Sequence, residues 1–187
     1  RHFGDEAFLS IEYPRIAGRL ESFAARENAD GLLTGEDAAW LFIDWTDDAH
    51  SPTALNAIYY GALRAGADLA DRAKKTDDAR RWRTRAERLK RALFAKAWDS
   101  GRRLFRWGFN PRKDAFRFSR HPNIYAAYFG IAGKDELPSI AAALSGEELP
   151  RVGTPYASAY EVMALIACGR MDEAEERVEK IWGGMLD

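Results

Sequence analysis

Apolar residues at helical spacing constrain this chain more than any other feature of its sequence. Between residues 52 and 75, the residues that recur at intervals of three and four are Leu55, Tyr59, Ala62, Leu63, Gly66, Leu69 and Ala70. This spacing places them on one face of an α-helix, where alanine and glycine let a neighbouring helix approach closely. Ser51 is predicted to cap this helix, with Pro52 in its first turn. The chain is therefore predicted to fold around packed helices.

The same periodicity predicts six further helices, most of them joined in pairs by short loops. They cover residues 13–28, 78–98, 119–133, 136–144, 151–169 and 171–184. Pro14 is expected in the first turn of the first helix, and Asp77 is expected to cap the helix over 78–98. Helix pairs with tight turns stack as αα-hairpins. Without a strict repeat, a toroid of hairpins is favoured over a short-repeat solenoid.

One segment breaks the helical pattern. The stretch "DSGRRLFRWGF", residues 99–109, has a Ser-Gly turn followed by alternating apolar and charged residues. This pattern predicts a small β-hairpin inserted between helices. The predicted fold class is therefore all-α, with αα-hairpins and one β-hairpin insertion, in a single domain over residues 1–187.

The composition excludes several function classes. The 187 residues carry a net charge of -1, which gives no support for binding nucleic acid or an anionic membrane. Cys168 is the only cysteine, so an internal disulfide and a cysteine metal cluster are excluded. No apolar run reaches the ~18 residues of a membrane span. Motifs for a phosphate loop, a catalytic triad or a metal site are absent, so no cofactor is predicted.

The acidic and aromatic stretch "LFIDWTDDAH", residues 41–50, is the first candidate site. An apolar segment, expected to be a short strand or buried coil, leads into Asp44 and Trp45. An aromatic face can pack on a sugar ring, and a carboxylate can accept hydrogen bonds from sugar hydroxyls. The alternative is equally open: Trp45 lies in the core, and Asp47 and Asp48 are favoured by the dipole of the following helix.

Three other residues stand at predicted helix ends. His121 precedes a proline at a helix start, and Tyr156 follows Thr154 and a proline at another. Trp182 precedes two glycines, which leave the backbone open to a ligand. Each also has a structural interpretation: a buried histidine, a helix capped by Thr154, and a helix ended by glycine.

Several segments in this order resemble the six-hairpin catalytic domain of bacterial α-L-rhamnosidases. They are "FIDW", "SRHPNIYAAYFGIAG" and "GTPYASAYEVMALIACGRMDEAEERVEKIWGGMLD", and the resemblance begins near Tyr13. It implies an (α/α)6 barrel and a substrate that is a rhamnose-containing glycoside or polysaccharide. It also implies inverting hydrolysis by a carboxylic acid and a carboxylate ~6.5–9.5 Å apart, without a metal.

The resemblance also implies roles for the candidate residues. Asp44 and Trp45 would line the sugar pocket, and Trp182 would lie near it. His121 and Tyr156 would lie at the mouth of the barrel. The family's origin implies the bacterial cytoplasm or periplasm as the compartment, and the sequence does not choose between them.

Two departures from the family indicate a partial barrel, which would be either a fragment of a longer chain or a degenerate form. The family's general acid precedes the "FIDW"-like segment, and its general base follows "WGGMLD" in a Gly-Ala-Thr-Thr-x-Trp-Glu run, so we expect no catalytic residue within this chain. Twelve helices of ~12 residues with ~5-residue connections need at least ~200 residues, more than the chain has. The remainder of the barrel, or a second copy, is the expected partner.

Two alternative functions remain open from the sequence. A related hydrolase of unsaturated uronyl sugars would use an aspartate pair, such as Asp44 with Asp47 or Asp48, as acid and base. A noncatalytic helical module for binding or support would need no such pair. An exposed apolar edge would indicate a partial ring, whereas a sealed polar edge would indicate an independent module.

Overall fold

The computed structural model describes residues 6–35, 42–46, 50–110 and 112–185, which contain seven α-helices and one two-stranded sheet. In chain order these elements are α1 (Glu6–Ala24), α2 (Pro52–Arg72), α3 (Thr76–Ala97), β1 (Trp98–Asp99), β2 (Leu104–Phe105), α4 (Arg120–Tyr128), α5 (Leu137–Ser145), α6 (Pro155–Ala167) and α7 (Met171–Trp182), followed by a 3-10 turn (Gly183–Met185). The predicted all-α fold with its β-hairpin is confirmed. Among these helices, none is long and apolar enough to cross a membrane.

The start of α2 is the predicted one. The Ser51 side chain accepts a hydrogen bond from the backbone N–H of Ala54 at 3.1 Å, and Pro52 occupies the first turn. A side-chain oxygen in this position satisfies one of the unpaired N–H groups of the first helical turn.

The predicted cap of α3 is wrong. The helix begins at Thr76, and Asp77 lies inside its first turn rather than before it. The reason is the tight reversal after α2: Lys74 has a φ of 58°, and the N–H of Lys75 bonds back to the carbonyl of Ala70. This left-handed turn completes the connection between α2 and α3 before Asp77, so the helix has already begun when Asp77 is reached. Asp77 and Asp78 still favour the helix through its dipole.

The first helix also differs from the prediction. It begins at Glu6 and ends at Ala24, so Pro14 lies inside α1 instead of in its first turn. Tertiary contacts hold the helix at this point, because the hydroxyl of Tyr13 donates to Asp78 at 2.5 Å and the Tyr13 ring lies 6.2 Å from that of Trp82.

The helices form two layers. An inner row consists of α2, α4 and α6, and the outer helices α3, α5 and α7 each pack on the inner helix that precedes them. Helix α1 packs on α2 and also contacts α3. Residues 120–127 of the central helix α4 are all buried. Gly61 of α2 lies against the ring of Phe129, where any side chain would clash. The three inner helices begin at the same end of the row, called here the mouth.

The β-hairpin and the loop after it lead back to the mouth. Trp98 pairs with Phe105, and their rings lie 4.9 Å apart. The backbone N–H of Phe105 donates to the side chain of Asn123 in α4 at 2.9 Å. The hairpin is therefore fixed to the inner row, and residues 106–118 run from it to the start of α4.

The inner row ends in an apolar edge on each side. On α2 the edge consists of Leu55, Ile58, Ala62, Ala65 and Leu69, which are half-buried or exposed and line a groove of about 520 Å³ beside α1. On α6 the edge consists of Tyr156, Ala159, Met163 and Ile166, which are all exposed. In contrast, α4 has an inner helix on each side, and its residues 120–127 are all buried. The edges therefore have the apolar character predicted for a partial ring.

Candidate functional site

The carboxylate of Asp44 joins three segments at the mouth. Its Oδ2 lies 2.8 Å from Nε2 of His121 and accepts the backbone N–H of Gly153 at 2.7 Å. Its Oδ1 accepts the hydroxyl of Thr154 at 2.7 Å and the backbone N–H of Trp45 at 2.8 Å. The loop before α2, the first turn of α4 and the start of α6 are thus tied to one side chain.

These contacts determine the charge of Asp44. Burial alone would raise its pKa, but the hydrogen bonds from Gly153, His121, Thr154 and Trp45 outweigh burial and lower the pKa below its ordinary value. A carboxylate offers about four lone-pair positions, and four donors occupy them. Asp44 is therefore an ionised group that holds the mouth together, and a sugar hydroxyl could bond to it only by replacing one of these donors.

The loop before α6 supplies two of the donors because of its residue types. Thr154 caps α6 by accepting the N–H of Ala157 at 3.1 Å, as the structural interpretation predicted, and also donates to Asp44. At Gly153, an added Cβ would lie 2.6 Å from the Cγ2 atom of Thr46 and 2.8 Å from the carbonyl oxygen of Trp45. Only glycine fits this close approach of two loops.

His121 lies at the start of α4, as predicted, and is 2% exposed. Because the ionised Asp44 can only accept, Nε2 carries the proton of their hydrogen bond. The other ring nitrogen, Nδ1, is buried and has no hydrogen-bond partner among the described residues. The histidine thus presents one nitrogen to Asp44 and keeps a second polar atom at the mouth.

The start of α4 is held by a buried ionic network. Arg120 bonds to the carboxylate of Glu161 in α6, and Arg177 of α7 bonds to the other oxygen of that carboxylate at 2.9 Å. Arg120 also donates to the carbonyls of Leu144, Gly146 and Leu149, which lie at and after the end of α5. The network fixes the backbone next to His121 against α5, α6 and α7.

Trp45 lies at the surface beside this cluster. Its side chain is 72% exposed, and its ring lies 5.8 Å from that of Phe42, which is 41% exposed. The interpretation of Trp45 as a core residue is therefore wrong. The segment 42–46 forms bends rather than a strand, while residues 38–41 of the same apolar run lie outside the described residues.

Tyr156 lies in a cluster with Tyr160 and Tyr125, which the sequence analysis did not predict. It is 55% exposed in the first turn of α6, and its hydroxyl shares a hydrogen bond of 3.4 Å with that of Tyr160. This hydrogen bond, with burial, raises the pKa of Tyr160 to about 12. The Tyr160 ring lies 5.2 Å from Tyr125 of α4. Burial, followed by Tyr156, Tyr160 and Asp44, raises the pKa of Tyr125, so the hydroxyls of Tyr125 and Tyr160 remain protonated at neutral pH.

Trp182 is half-buried at the end of α7, and Gly183 follows the helix as its C-cap. Because α7 runs antiparallel to α6, this end of α7 returns towards the mouth. Among the residues that the structure describes, no hydrogen bond or ring contact joins Trp182 to Asp44, Trp45, His121 or Tyr156. Asp47 and Asp48, the possible partners of Asp44 in an acid–base pair, lie outside the described residues.

Sequence reasoning missed Gly153, Tyr125 and Tyr160 as members of the site. Tyr125 could have been found, because it follows His121 by four residues and so lies on the same face of α4. Gly153 carries no such signal. Within the described ranges, no group of three or more His, Cys, Asp or Glu residues could hold a metal ion.

Inner helices backed by antiparallel outer ones, with aromatic residues and a carboxylate where the inner helices begin, define a helical-hairpin domain. Residues 18–155 match the family described as the mannosylglycerate hydrolase MGH1-like glycoside hydrolase domain, and the chain belongs to this family. No curated protein sequence matches the chain.

Two solved structures are similar over almost the whole chain. A rhamnosidase from Klebsiella oxytoca with rhamnose bound has a TM-score of 0.85 at 25% identity, with 98% of this chain and 35% of that one covered. A GH78-family rhamnosidase of Bacillus sp. GL1 has a TM-score of 0.88 at 25% identity, with 99% of this chain and 20% of that one covered. The resemblance to rhamnosidases is confirmed. The chain spans about a third or less of the length of either enzyme and corresponds to a partial barrel.

Proposed function

We propose that this chain forms one wall of the sugar-binding site of a glycoside hydrolase that acts on rhamnose-containing glycosides. The observation that carries the proposal is the 72% exposed indole of Trp45 beside a carboxylate fixed from three segments. A large aromatic face on a rigid support, open to solvent, suits the apolar face of a sugar ring. The rhamnose bound to the Klebsiella oxytoca neighbour supports the choice of sugar.

In this proposal each candidate residue has a separate role. Trp45 is the platform for the sugar ring, and the Tyr156 hydroxyl binds at the rim. Asp44 positions Trp45 and His121, and both lie at the mouth, where the sugar binds in this proposal. Trp182 lies near the pocket at the end of α7.

The proposed reaction is inverting hydrolysis. It requires one protonated carboxylic acid and one carboxylate ~6.5–9.5 Å apart, with water between the carboxylate and the sugar. The lowered pKa of Asp44 is opposite to the raised pKa that a general acid needs at neutral pH. We therefore assign neither proton transfer to Asp44, and propose that both carboxyl groups come from the remainder of the barrel.

A second candidate substrate follows from the family match. Members of the matching family are named for mannosylglycerate hydrolase, so a glycoside of a small hydroxy acid is an alternative to a rhamnoside. The two candidates differ in the charge of the leaving group, and direct binding measurements can separate them.

The proposal is tested by calorimetric titration of the chain with methyl α-L-rhamnoside and with mannosylglycerate. Loss of one aromatic face costs about 0.5–1.5 kcal/mol, so Trp45→Ala should weaken binding of the preferred ligand about 2- to 12-fold. Phe8→Ala is the matched control, because Phe8 is 63% exposed and lies on α1, whose first turns neighbour the C-terminal end of α2, away from the mouth. Equal affinities for the two variants would refute the role of Trp45.

A further inference from the structure

Phe116 is the most exposed of the large apolar side chains in the described part of the chain, at 95%. An aromatic ring left in water forgoes the free energy that burial of its apolar surface would gain. Single exposed apolar residues are common on protein surfaces. A binding role for Phe116 therefore requires that the loop that carries it is fixed.

Hydrogen bonds within the loop fix the turn that precedes Phe116. Asp114 is buried, at 6% exposed, and its Oδ2 accepts the N–H of Asn110 at 2.9 Å. The N–H of Asp114 donates back to the Asn110 carbonyl at 2.8 Å, and the N–H of Arg117 donates to the Asp114 carbonyl at 3.2 Å. The backbone on both sides of Phe116 is therefore held, and the ring is directed outward by the turn.

A second set of contacts fixes the loop to the inner row. The N–H of Trp107 donates to the Arg117 carbonyl at 2.8 Å, and the Arg117 guanidinium lies 3.6 Å from the centre of the Trp107 ring. The Trp107 carbonyl accepts the hydroxyl of Ser51, the cap of α2, at 2.5 Å. The loop is thus attached to the start of α2, which is one of the three helix starts that form the mouth.

Phe116 also lies on the segment that leads into the start of α4 at the mouth. It precedes His121 by five residues, and five residues span at most about 18 Å when fully extended. His121 in turn contacts Asp44, the neighbour of Trp45. An exposed, rigidly supported aromatic ring therefore lies on the same end of the inner row as the Trp45 platform, but on a separate segment.

We propose that Phe116 forms an outer binding position for the part of the glycoside beyond its terminal sugar. The group bound there has a flat apolar face, which is either the aromatic ring of a leaving group or a second sugar ring. This inference rests on the proposed function, because it takes the Trp45 platform as the position of the terminal sugar. Phe116 determines specificity for the leaving group and takes no part in bond cleavage.

The test compares three ligands by calorimetric titration of the 187-residue chain. Methyl α-L-rhamnoside occupies only the sugar position, 4-nitrophenyl α-L-rhamnoside adds an aromatic ring, and a rhamnose-terminated disaccharide adds a second sugar. Phe116→Ala should leave the affinity for the methyl glycoside unchanged and weaken binding of at least one larger ligand about 2- to 12-fold. Phe8→Ala should change none of the three, whereas Trp45→Ala should weaken all three.

Each outcome decides the inference. Selective weakening of the aryl glycoside supports an aromatic leaving group, and selective weakening of the disaccharide supports a second sugar. If wild type binds the methyl glycoside and Phe116→Ala changes no ligand's affinity, the outer position is refuted while the proposed function stands. If wild type binds none of the three ligands, the proposed function fails for rhamnosides and the outer position fails with it.

Discussion

Removal of Glu161 should destabilise the protein more than any other single truncation of a charged side chain described above. The side chains of Arg120 and Glu161 are both 0% exposed, and that of Arg177 is 12% exposed. In a Glu161→Ala variant Arg120 keeps its bonds to backbone carbonyls but loses its counter-charge. An uncompensated buried charge costs about 3–5 kcal/mol, a large part of the roughly 5–15 kcal/mol that stabilises a typical domain.

The assay is urea unfolding followed by circular dichroism, with thermal unfolding as a second measurement. For a chain of this size 1 kcal/mol corresponds to about 2–4 °C, so the midpoint should fall by roughly 6–20 °C. Glu161→Gln keeps an acceptor for Arg120 and should lose less. Glu147→Ala is the control, because Glu147 pairs with Arg151 at the surface with 76% of its side chain exposed, and such solvent-screened pairs contribute little to stability. If Glu161→Ala costs no more than Glu147→Ala, the carbonyls alone hold Arg120 and the reasoning is wrong.

Two further predictions concern the mouth. Asp44→Asn should cost about 1–3 kcal/mol of unfolding free energy at pH 7, because one acceptor oxygen becomes a donor among four donors. Since the folded pKa of Asp44 is lowered, the stability that its carboxylate contributes is present above the unfolded pKa of about 3.9 and is lost as the pH falls through the folded pKa. Unfolding free energies measured from pH 7 to pH 3 should therefore fall more steeply for wild type than for the variant. A parallel loss in both proteins would contradict this. Gly153→Ala should cost about 1–3 kcal/mol, because the new methyl group would meet Trp45 and Thr46, whereas Gly18→Ala in α1, where the methyl group meets nothing within 4 Å, should gain about 0.5–1 kcal/mol in the same urea titration. Equal effects of the two substitutions would refute the close approach at Gly153.

Local signals sufficed for most of the helices. The cap at Ser51 and the proline after it located the start of α2, because the groups that satisfy the first turn are adjacent in sequence. The starts of α1 and α3 were missed for different reasons. Pro14 is tolerated inside α1 with Tyr13 anchored to Asp78 on α3, and the left-handed Lys74 ends α2 without a glycine to mark it.

The candidate site was less predictable than the fold. The sequence identified Asp44 and Trp45 but left open whether the tryptophan is buried. It also suggested that Asp44 accepts sugar hydroxyls, whereas Gly153 and Thr154 fill its lone pairs from segments 109 and 110 residues away. Apolar periodicity states which face of a helix is buried, but it does not state which loops meet at the helix ends.

The long sequence separation of the Asp44 contacts has a consequence for the order of folding. Helical hairpins such as α2–α3 and α6–α7 close short loops and can form early, whereas Asp44 bonds to His121 and Thr154 across 77 and 110 residues. The mouth is therefore expected to assemble last, after the three hairpins have stacked. Substitutions at Asp44 would then accelerate unfolding and leave the folding rate nearly unchanged. The binding surface would also be the first part of the molecule to open. A bound ligand would therefore mainly lower the unfolding rate.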